Sequence, residues 1–291
     1  MRKKQSLSIV LPAYNESAGL SKLLPKLKAA YPEAEILIIN DGSTDETASV
    51  CKENGTKIIS YPYSQGNGAA IKAGCRNASG DIVIFMDADG QHSVDDIPEL
   101  LNKMEQGYDM VVGARQVNTH SSTLKRFANA FFNRFASLMT GHNIMDLTSG
   151  FRAVRRNVFS KFLYLMPNGF SYPTTSTMAF FRSGHPVGYV PIHAGTRSTG
   201  TSSNIKVLKD GTRFLIIILK IGALFSPMRL FLPVSAALFL TGLVYYGYTF
   251  ITASRFTNMS ALLFISSLMV FLIGILSEQV SSLHYRDSSG K

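Results

Sequence analysis

The chain has 291 residues, 46% of them hydrophobic, two cysteines, no tryptophan and a formal net charge of +10. That length admits one large domain or two small ones, and that composition excludes a disordered chain, a collagen-like repeat and a disulfide-stapled scaffold. The charge is uneven: residues 1–114 carry 11 Lys/Arg against 15 Asp/Glu, a net of −4, and residues 115–291 carry 18 against 4, a net of +14.

The opening MRKKQSLSIVLPAYNE has an apolar run too short for a secretory signal, broken at once by Pro12 and Asn15. Cys51 and Cys75 are therefore expected in a reducing compartment, where they need not pair. The next hundred residues alternate strand and helix: LSIVLPAY, a helix over Ser17–Ala30, EILIIND, a helix from Thr44, KIISYP, a helix from Gly68, DIVIFMD, a helix near Asp95, and DMVVGA. Strands as continuously apolar as EILIIN and DIVIFM suit a mostly parallel sheet covered by helices on both faces. The predicted fold class is α/β, Rossmann-like. Sheets of this kind bind ligands at the carboxyl ends of their strands.

Polar clusters fall at five consecutive strand ends: PAYNE, NDGSTD, SQGNG, DADGQH and Arg115. NDGSTDE taken alone reads equally as a turn and helix cap, with Ser43 or Thr44 capping and Asp45 and Glu46 favouring the dipole. SQGNG lacks the small residue that a dinucleotide fingerprint needs where Ile71 stands, though its glycines permit close approach to a ligand. DADGQH is more telling. Two carboxylates one residue apart repel each other unless solvated or neutralised by a cation, and Asp87, Asp89 and the Gln91 amide oxygen suit a hard divalent ion that keeps water and substrate phosphate as its other ligands. The six histidines form no zinc-binding pattern.

Thr123–Thr140 places Phe127, Phe131, Phe135 and Leu138 at helical spacing with Lys125, Arg126 and Arg134 nearby, fitting either a core-facing helix or one at a membrane interface. Residues 115–161 hold eight Lys/Arg and a single acid, Asp146. Leu230–Thr252 then runs 23 residues without a charge, and a second uncharged run, Ser260–Ser277, extends through Glu278 and Gln279 to spanning length. Together they predict a transmembrane hairpin, with two buried core helices as the alternative. Lys206, Lys209, Arg213, Lys220 and Arg229 before it and Arg286 and Lys291 after it, against Arg255 alone in the connecting loop, predict that both termini face the cytoplasm. The division expected is a catalytic domain over 1–205, a basic juxtamembrane segment over 206–229, membrane helices at about 230–252 and 260–281 within 230–283, and a cytoplasmic tail over 284–291. The basic half points to an anionic partner, and the hairpin beside it to anionic lipid rather than nucleic acid.

PAYNE at Pro12–Glu16, DGS at Asp41–Ser43, DADGQH at Asp87–His92, GAR at Gly113–Arg115 and DLTSGFRA at Asp146–Ala153 together resemble the family 2 glycosyltransferases with a GT-A fold. Within them the chain is most similar to the polyprenyl-phosphate sugar synthases, a group that includes dolichol-phosphate mannose synthase and bacterial undecaprenyl-phosphate glycosyltransferases. The resemblance covers about residues 6–226 and the two-helix tail of some members. It implies that Pro12, Tyr14 and Glu16, with Ile39 and Asp41, hold base and ribose of a GDP- or UDP-sugar. It also implies that Asp87, Ala88 and Asp89 line the ribose and the metal-diphosphate region, with Gln91 completing a Mg2+ or Mn2+ site. Arg115 would face the sugar and diphosphate, and Arg197 and Lys206 would clamp phosphates. Asn40 departs from the paired aspartates of many relatives. Transfer to a hydroxyl needs a general base, whereas a basic region with one acid suits an acceptor that is already an anion. Polyprenyl phosphate is such an acceptor, with Arg126 and Arg152 as its expected phosphate ligands. The expectation is inverting transfer at the cytoplasmic face of the cell or inner membrane, with homo-oligomerisation left open. A transferase acting on another lipid or glycan hydroxyl, or a membrane-tethered binding protein without catalysis, are the alternatives.

Overall fold

The structure, a computed structural model, describes residues 5–115, 123–169, 171–192, 219, 222–224 and 226–289. It divides into two compact units, one of residues 1–134 with 143–205 and the other of 135–142 with 206–291.

In the first unit β1 (Leu7–Ala13), α1 (Ser17–Ala30), β2 (Glu35–Asn40), α2 (Thr47–Glu53), β3 (Lys57–Ser60), α3 (Asn67–Asn77), β4 (Ile82–Phe85), α4 (Ile97–Glu105) and β5 (Met110–Arg115) follow the predicted alternation. After α5 (Thr123–Thr140) come β6 (Arg152–Arg155), α6 (Arg156–Phe159), α7 (Tyr172–Arg182) and β7 (Val187–Ile192). The seven strands form one sheet in the order β3-β2-β1-β4-β6-β5-β7. All neighbours are parallel except β6, which runs antiparallel to both β4 and β5. Ile9, Val10, Leu11, Leu37, Ile38 and Ile39 are wholly buried, as strands covered on both faces must be. Helix α1 buries Leu20, Leu23, Leu24 and Leu27, the i, i+3, i+4, i+7 stripe of a helix packed on a sheet. The strand order turns at β1, whose neighbours are β2 on one side and β4 on the other, so the loops after β1, β2 and β4 open at the point where such folds hold ligands.

The second unit contains α8 (Pro227–Ala253) and α9 (Asn258–Ser289). Both are long and apolar enough to cross a membrane, and only 11% and 17% of their most apolar stretches are buried. Helices of a soluble core hide such surface, whereas Val244, Ile251 and Leu276 stand exposed. The two helices approach closely at Gly242, where a Cβ would lie 3.1 Å from that of Leu263, and at Gly274, 2.9 Å from that of Phe231. Ser235 Oγ donates to the Ser267 carbonyl and Ser267 Oγ to the Ser235 carbonyl, each at 2.9 Å. Small residues with reciprocal hydroxyl bonds are what holds helices together in lipid, where apolar side chains have no preference for one another over the acyl chains. Polar groups near the hairpin's open end are met locally. The Met228 amide donates to Glu278 Oε2 at 3.3 Å, Arg229 donates to the Leu138 and Met139 carbonyls at 2.9 Å, and Ser226 Oγ donates to the Met139 carbonyl at 2.9 Å. Arg229, one of the basic residues expected to flank the hairpin, thus caps the last turn of α5.

Glu35 ties three segments to the start of β2. Its carboxylate accepts from Ser8 Oγ at 2.6 Å, Lys57 Nζ at 2.9 Å, and the amide and hydroxyl of Ser79 at 2.7 and 2.9 Å. Burial pushes this carboxyl up, but those four donors outweigh it and bring it down to about 2. A carboxyl depressed on folding stabilises above its unfolded value of 4.5 and loses that contribution as pH falls towards about 2. Glu35→Gln is expected to cost about 1–2 kcal/mol at neutral pH, a deficit constant down to about pH 5 and closing below it. Thermal midpoints of the two proteins in detergent across that range check this; a deficit that persists unchanged in acid contradicts it.

Candidate active site

The loop after β1 is held open by the loop after β2. Asn15 takes φ 55°, its amide donates to Ser43 Oγ at 2.9 Å, and its side-chain oxygen accepts from the Thr44 amide at 2.8 Å. The Glu16 amide donates to Thr47 Oγ1 at 3.0 Å and the Ser17 amide to Asp45 Oδ2 at 3.1 Å. The polar residues of NDGSTD therefore cap the start of α1, the helix before them, while α2 begins only at Thr47 without a side-chain cap. Burial raises the Asp45 carboxyl, but bonds from Thr47 and Ser17 outweigh it and keep the group below the usual carboxylate range. Tyr14 is left more than half exposed, and Glu16 and Pro12 are half-buried beside it.

Two residues expected to touch the base are differently occupied. Ile39 is wholly buried in the sheet and offers no side-chain surface. Asp41 is 4% exposed, and its carboxylate accepts from Ser64 Oγ at 2.7 Å and from the Gln65 and Gly66 amides at 2.7 and 2.9 Å. Three donors on an inward-facing carboxylate make Asp41 the anchor of the loop before α3. Asn40 is likewise internal, accepting from the Ser43 amide at 3.0 Å and donating to Ser60 Oγ at 3.2 Å. The glycines of SQGNG admit protein rather than ligand. The Gly68 and Ala69 amides at the start of α3 donate to the carbonyls of Gly169 and Asn168 at 3.1 and 2.8 Å, which uses the donors a phosphate would need.

DADGQH forms the turn after β4. Asp89 is 7% exposed and its Oδ1 accepts the Gln91 amide at 3.0 Å across Gly90, which has φ 76°. Asp87 is the more open carboxylate, its Oδ2 3.4 Å from Nε2 of a buried His92 whose ring stacks at 4.9 Å on Phe151. His92 Nδ1 is buried with no hydrogen-bond partner among the described residues. Ala88 is buried, and its carbonyl lies so near α1 that a Cβ on Gly19 would sit 2.3 Å from it. From the other side Gly150 closes on Asp87, where a Cβ would come 3.1 Å from Oδ2, and Tyr172 Oη donates to the Gly150 carbonyl at 2.9 Å. Two carboxylates, one open and one pinned in a turn, fit a hard divalent cation that keeps water and phosphate as its other ligands.

Arg115, at the end of β5, is fixed by Asp146. Its Nε donates to Asp146 Oδ2 at 2.8 Å, its Nη2 to Oδ1 at 3.1 Å and to Thr148 Oγ1 at 2.6 Å, and its backbone amide to Oδ2 at 3.2 Å. Asp146 also accepts the Thr148 and Ser149 amides at 3.0 and 3.1 Å. Burial pushes the Asp146 carboxyl up and the Arg115 guanidinium down, but their mutual bond and charge win, holding the acid low and the guanidinium high; Asp87 adds to the latter. The lone acid of the basic stretch is therefore an ionised orienting group with both oxygens engaged, and Arg115, still 40% exposed, shares its electrostatic surroundings with Asp87.

Arg152, expected to bind an acceptor phosphate, is instead wholly buried. Its Nη1 donates to the Pro173 carbonyl at 3.1 Å, Ser176 Oγ at 2.7 Å and Thr177 Oγ1 at 3.2 Å, its Nη2 donates to the Ser149 carbonyl, and its guanidinium lies 5.5 Å from the Tyr172 ring centroid. It is a structural cation joining β6 to α7, with no face left for a lipid phosphate. Arg197 and Lys206, and the side chain of Arg126, lie outside the described residues. Asp146, Gly150, Phe151 and Tyr172 were not singled out as site residues by sequence; one signal for Asp146 was present, since a single acid among eight bases marks a partner for one of them.

The sequence model of the family "Glycosyl transferase family 2" matches residues 8–163, and that of the "GtrB C-terminal hairpin" matches 226–283. The chain is 26% identical over 297 residues to glycosyltransferase AglJ of Haloferax volcanii, covering 98% of this chain and 96% of that one. It is 31% identical over 206 residues to an undecaprenyl-phosphate 4-deoxy-4-formamido-L-arabinose transferase of Enterobacter sp., covering 67% of this chain and 62% of that enzyme, so it spans less than two thirds of the latter. Among solved structures it superimposes on glucosyl-3-phosphoglycerate synthase from Mycobacterium tuberculosis, crystallised with Mn2+ and UDP-glucose, with a TM-score of 0.59, 21% identity and coverage of 74% and 78% of the two chains. With the family's sequence motifs at the ends of β1, β2, β4 and β5 and its model matching more than half the length, the chain belongs to glycosyl transferase family 2.

Proposed function

We propose that the protein transfers a sugar, with inversion, from a GDP- or UDP-sugar to polyprenyl phosphate at the cytoplasmic face of a membrane. The observation that carries this reading is the Arg115–Asp146 pair. The one acid of the basic stretch has both oxygens engaged by Arg115 and by loop donors, so it has no task as a base, whereas the cation it orients remains open towards Asp87. A fixed guanidinium beside an acid whose oxygens are already engaged suits an acceptor that arrives ionised. The name of the Enterobacter relative, an undecaprenyl-phosphate sugar transferase, and the hairpin support the same acceptor.

In the reaction an oxygen of the lipid phosphate forms a bond to the anomeric carbon while the bond from that carbon to the nucleoside diphosphate breaks, its electron pair leaving with the diphosphate. A single displacement inverts the configuration. No proton need be removed from the acceptor, so the chain's residues contribute by orienting the reactants and stabilising charge. Tyr14 and Glu16 border the base and ribose, Asp41 shapes that wall from behind, and Arg115 meets the charge that develops on the diphosphate. Asp87 and Asp89, with Gln91, would hold Mg2+ or Mn2+, which when bound supplies Lewis-acid neutralisation of the leaving group. Arg126, Arg197 and Lys206 are proposed as further phosphate contacts.

The test is turnover of nucleotide-sugars with undecaprenyl phosphate in membranes, with a polyprenyl alcohol as control acceptor. Asp87→Asn and Asp89→Asn are each expected to lower turnover by about 100-fold or more with the protein still membrane-bound, and chelator to abolish it reversibly. Undiminished turnover in chelator sinks the metal assignment, and equal use of the alcohol sinks the anionic-acceptor mechanism.

The orientation is tested separately. A cysteine placed near Asn258, in the loop between α8 and α9, is expected to react with an impermeant thiol reagent from outside intact cells, and one at Gln5 only after lysis. The native Cys51 and Cys75 are buried and give a low background. The reverse labelling pattern overturns the cytoplasmic placement.

A further inference from the structure

We propose that Asn133, on α5, is a positioning residue for transfer, acting through Asp146 on the guanidinium of Arg115. The inference rests on the donor-facing role given above to Arg115. The Asn133 carboxamide bridges the two peptide groups that flank Asp146: Nδ2 donates to the Met145 carbonyl at 2.7 Å, and Oδ1 accepts from the Leu147 amide at 3.0 Å. A single side chain thus does for residues 145–147 what a neighbouring strand does in a sheet, holding a carbonyl and an amide two residues apart in one register.

That register matters because Asp146 has only two side-chain torsions with which to reach Arg115. Its carboxylate meets Nε, Nη2 and the backbone amide of Arg115 at 2.8, 3.1 and 3.2 Å, an arrangement that tolerates little displacement of the Asp146 backbone. The segment belongs to neither a helix nor a strand. Ile144 and Leu147 are buried and fix its depth, while Met145 is 56% exposed, and the carboxamide adds a directional restraint between them. Asparagine is the side chain that fits. Aspartate keeps the acceptor for Leu147 and loses the donor to Met145, and leucine keeps the volume and loses both.

The experiment is a double-mutant cycle on the full-length protein in detergent, using Asn133→Leu, Arg115→Lys and the pair, with undecaprenyl phosphate and the UDP- or GDP-sugar that wild-type protein turns over. Asn133→Leu is expected to lower kcat about tenfold in the wild-type background and less than about twofold in the Arg115→Lys background, the non-additivity of residues acting through one contact. A residue needed only for folding would cost the same factor in both. Should Asn133→Leu not fold, Asn133→Asp takes its place, with a smaller loss and the same dependence on background. If no sugar is transferred by the wild type, the cycle is read on calorimetric binding of UDP and GDP with Mn2+, where the same non-additivity is expected. Equal losses in the two backgrounds, with Arg115→Lys itself severely impaired, overturn the role of Asn133 alone. Wild-type behaviour of Arg115→Lys overturns the role of Arg115 and with it this inference.

Discussion

A carboxylate withdrawn from water must be given donors in return, and this fold spends that requirement on joining loops. Glu35, Asp41, Asp45 and Asp146 each gather donors from a segment distant in sequence. Each therefore works as a node between otherwise independent connections at the sheet's ends. The walls of the site stand because these acids cannot be left unpaired. Asp87 differs from these four, with an open face, and on the proposed reading that face is where an external cation would bind.

The cations divide in the same way. Arg115 is matched to an acid and stays accessible. Arg152 is buried without an ion-pair partner among the described residues, and burial lowers its affinity for a proton, opposed by the nearby Tyr172, Tyr189, Asp146 and Asp87. Neutral carbonyls, hydroxyls and an aromatic face can solvate a delocalised guanidinium well enough to keep it inside, which a compact ammonium would not accept as readily. Position in the sheet decides between the two fates: β5 ends with its arginine at the carboxyl ends of the parallel strands, and β6, antiparallel beside it, begins with its arginine under α7.

Much of this was legible in the amino-acid order. Five apolar strands, the bounds of α1 and α5, and two long apolar helices followed from periodicity alone, because burial on both faces or exposure to lipid leaves a continuous signature. Strands β6 and β7 did not. RAVR opens with a charged residue that proves to be core, and VGYVPI contains Gly188 and Pro191, which argue against a strand. β7 tolerates them because, among the described residues, it is the sheet's edge and pairs only with β5. For the site, the residue types at the strand ends were readable but their partners were not. Asp146 lies 31 positions from Arg115 and Asn40 20 from Ser60, and no local pattern says whether a polar side chain at a strand end turns to the cleft or to the neighbouring loop. Asp41 and Ile39 were assigned to the ligand from the family resemblance, and the buried side chain of Ile39 and the loop donors gathered by Asp41 were not legible beforehand.

Gly19 carries one more consequence. It has no functional group and sits in the first turn of the first helix, some seventy positions before the paired aspartates, yet a methyl group there would meet the Ala88 carbonyl at 2.3 Å. That obstacle is backbone, which cannot rotate aside as a side chain can. The space between α1 and the aspartate turn is thus set by the thinnest residue available, and the first helix acts as a gauge for the placement of both carboxylates. Variation at this silent position would displace the aspartate turn, so the tolerance of the chain to change near its amino terminus is governed by a loop in its middle.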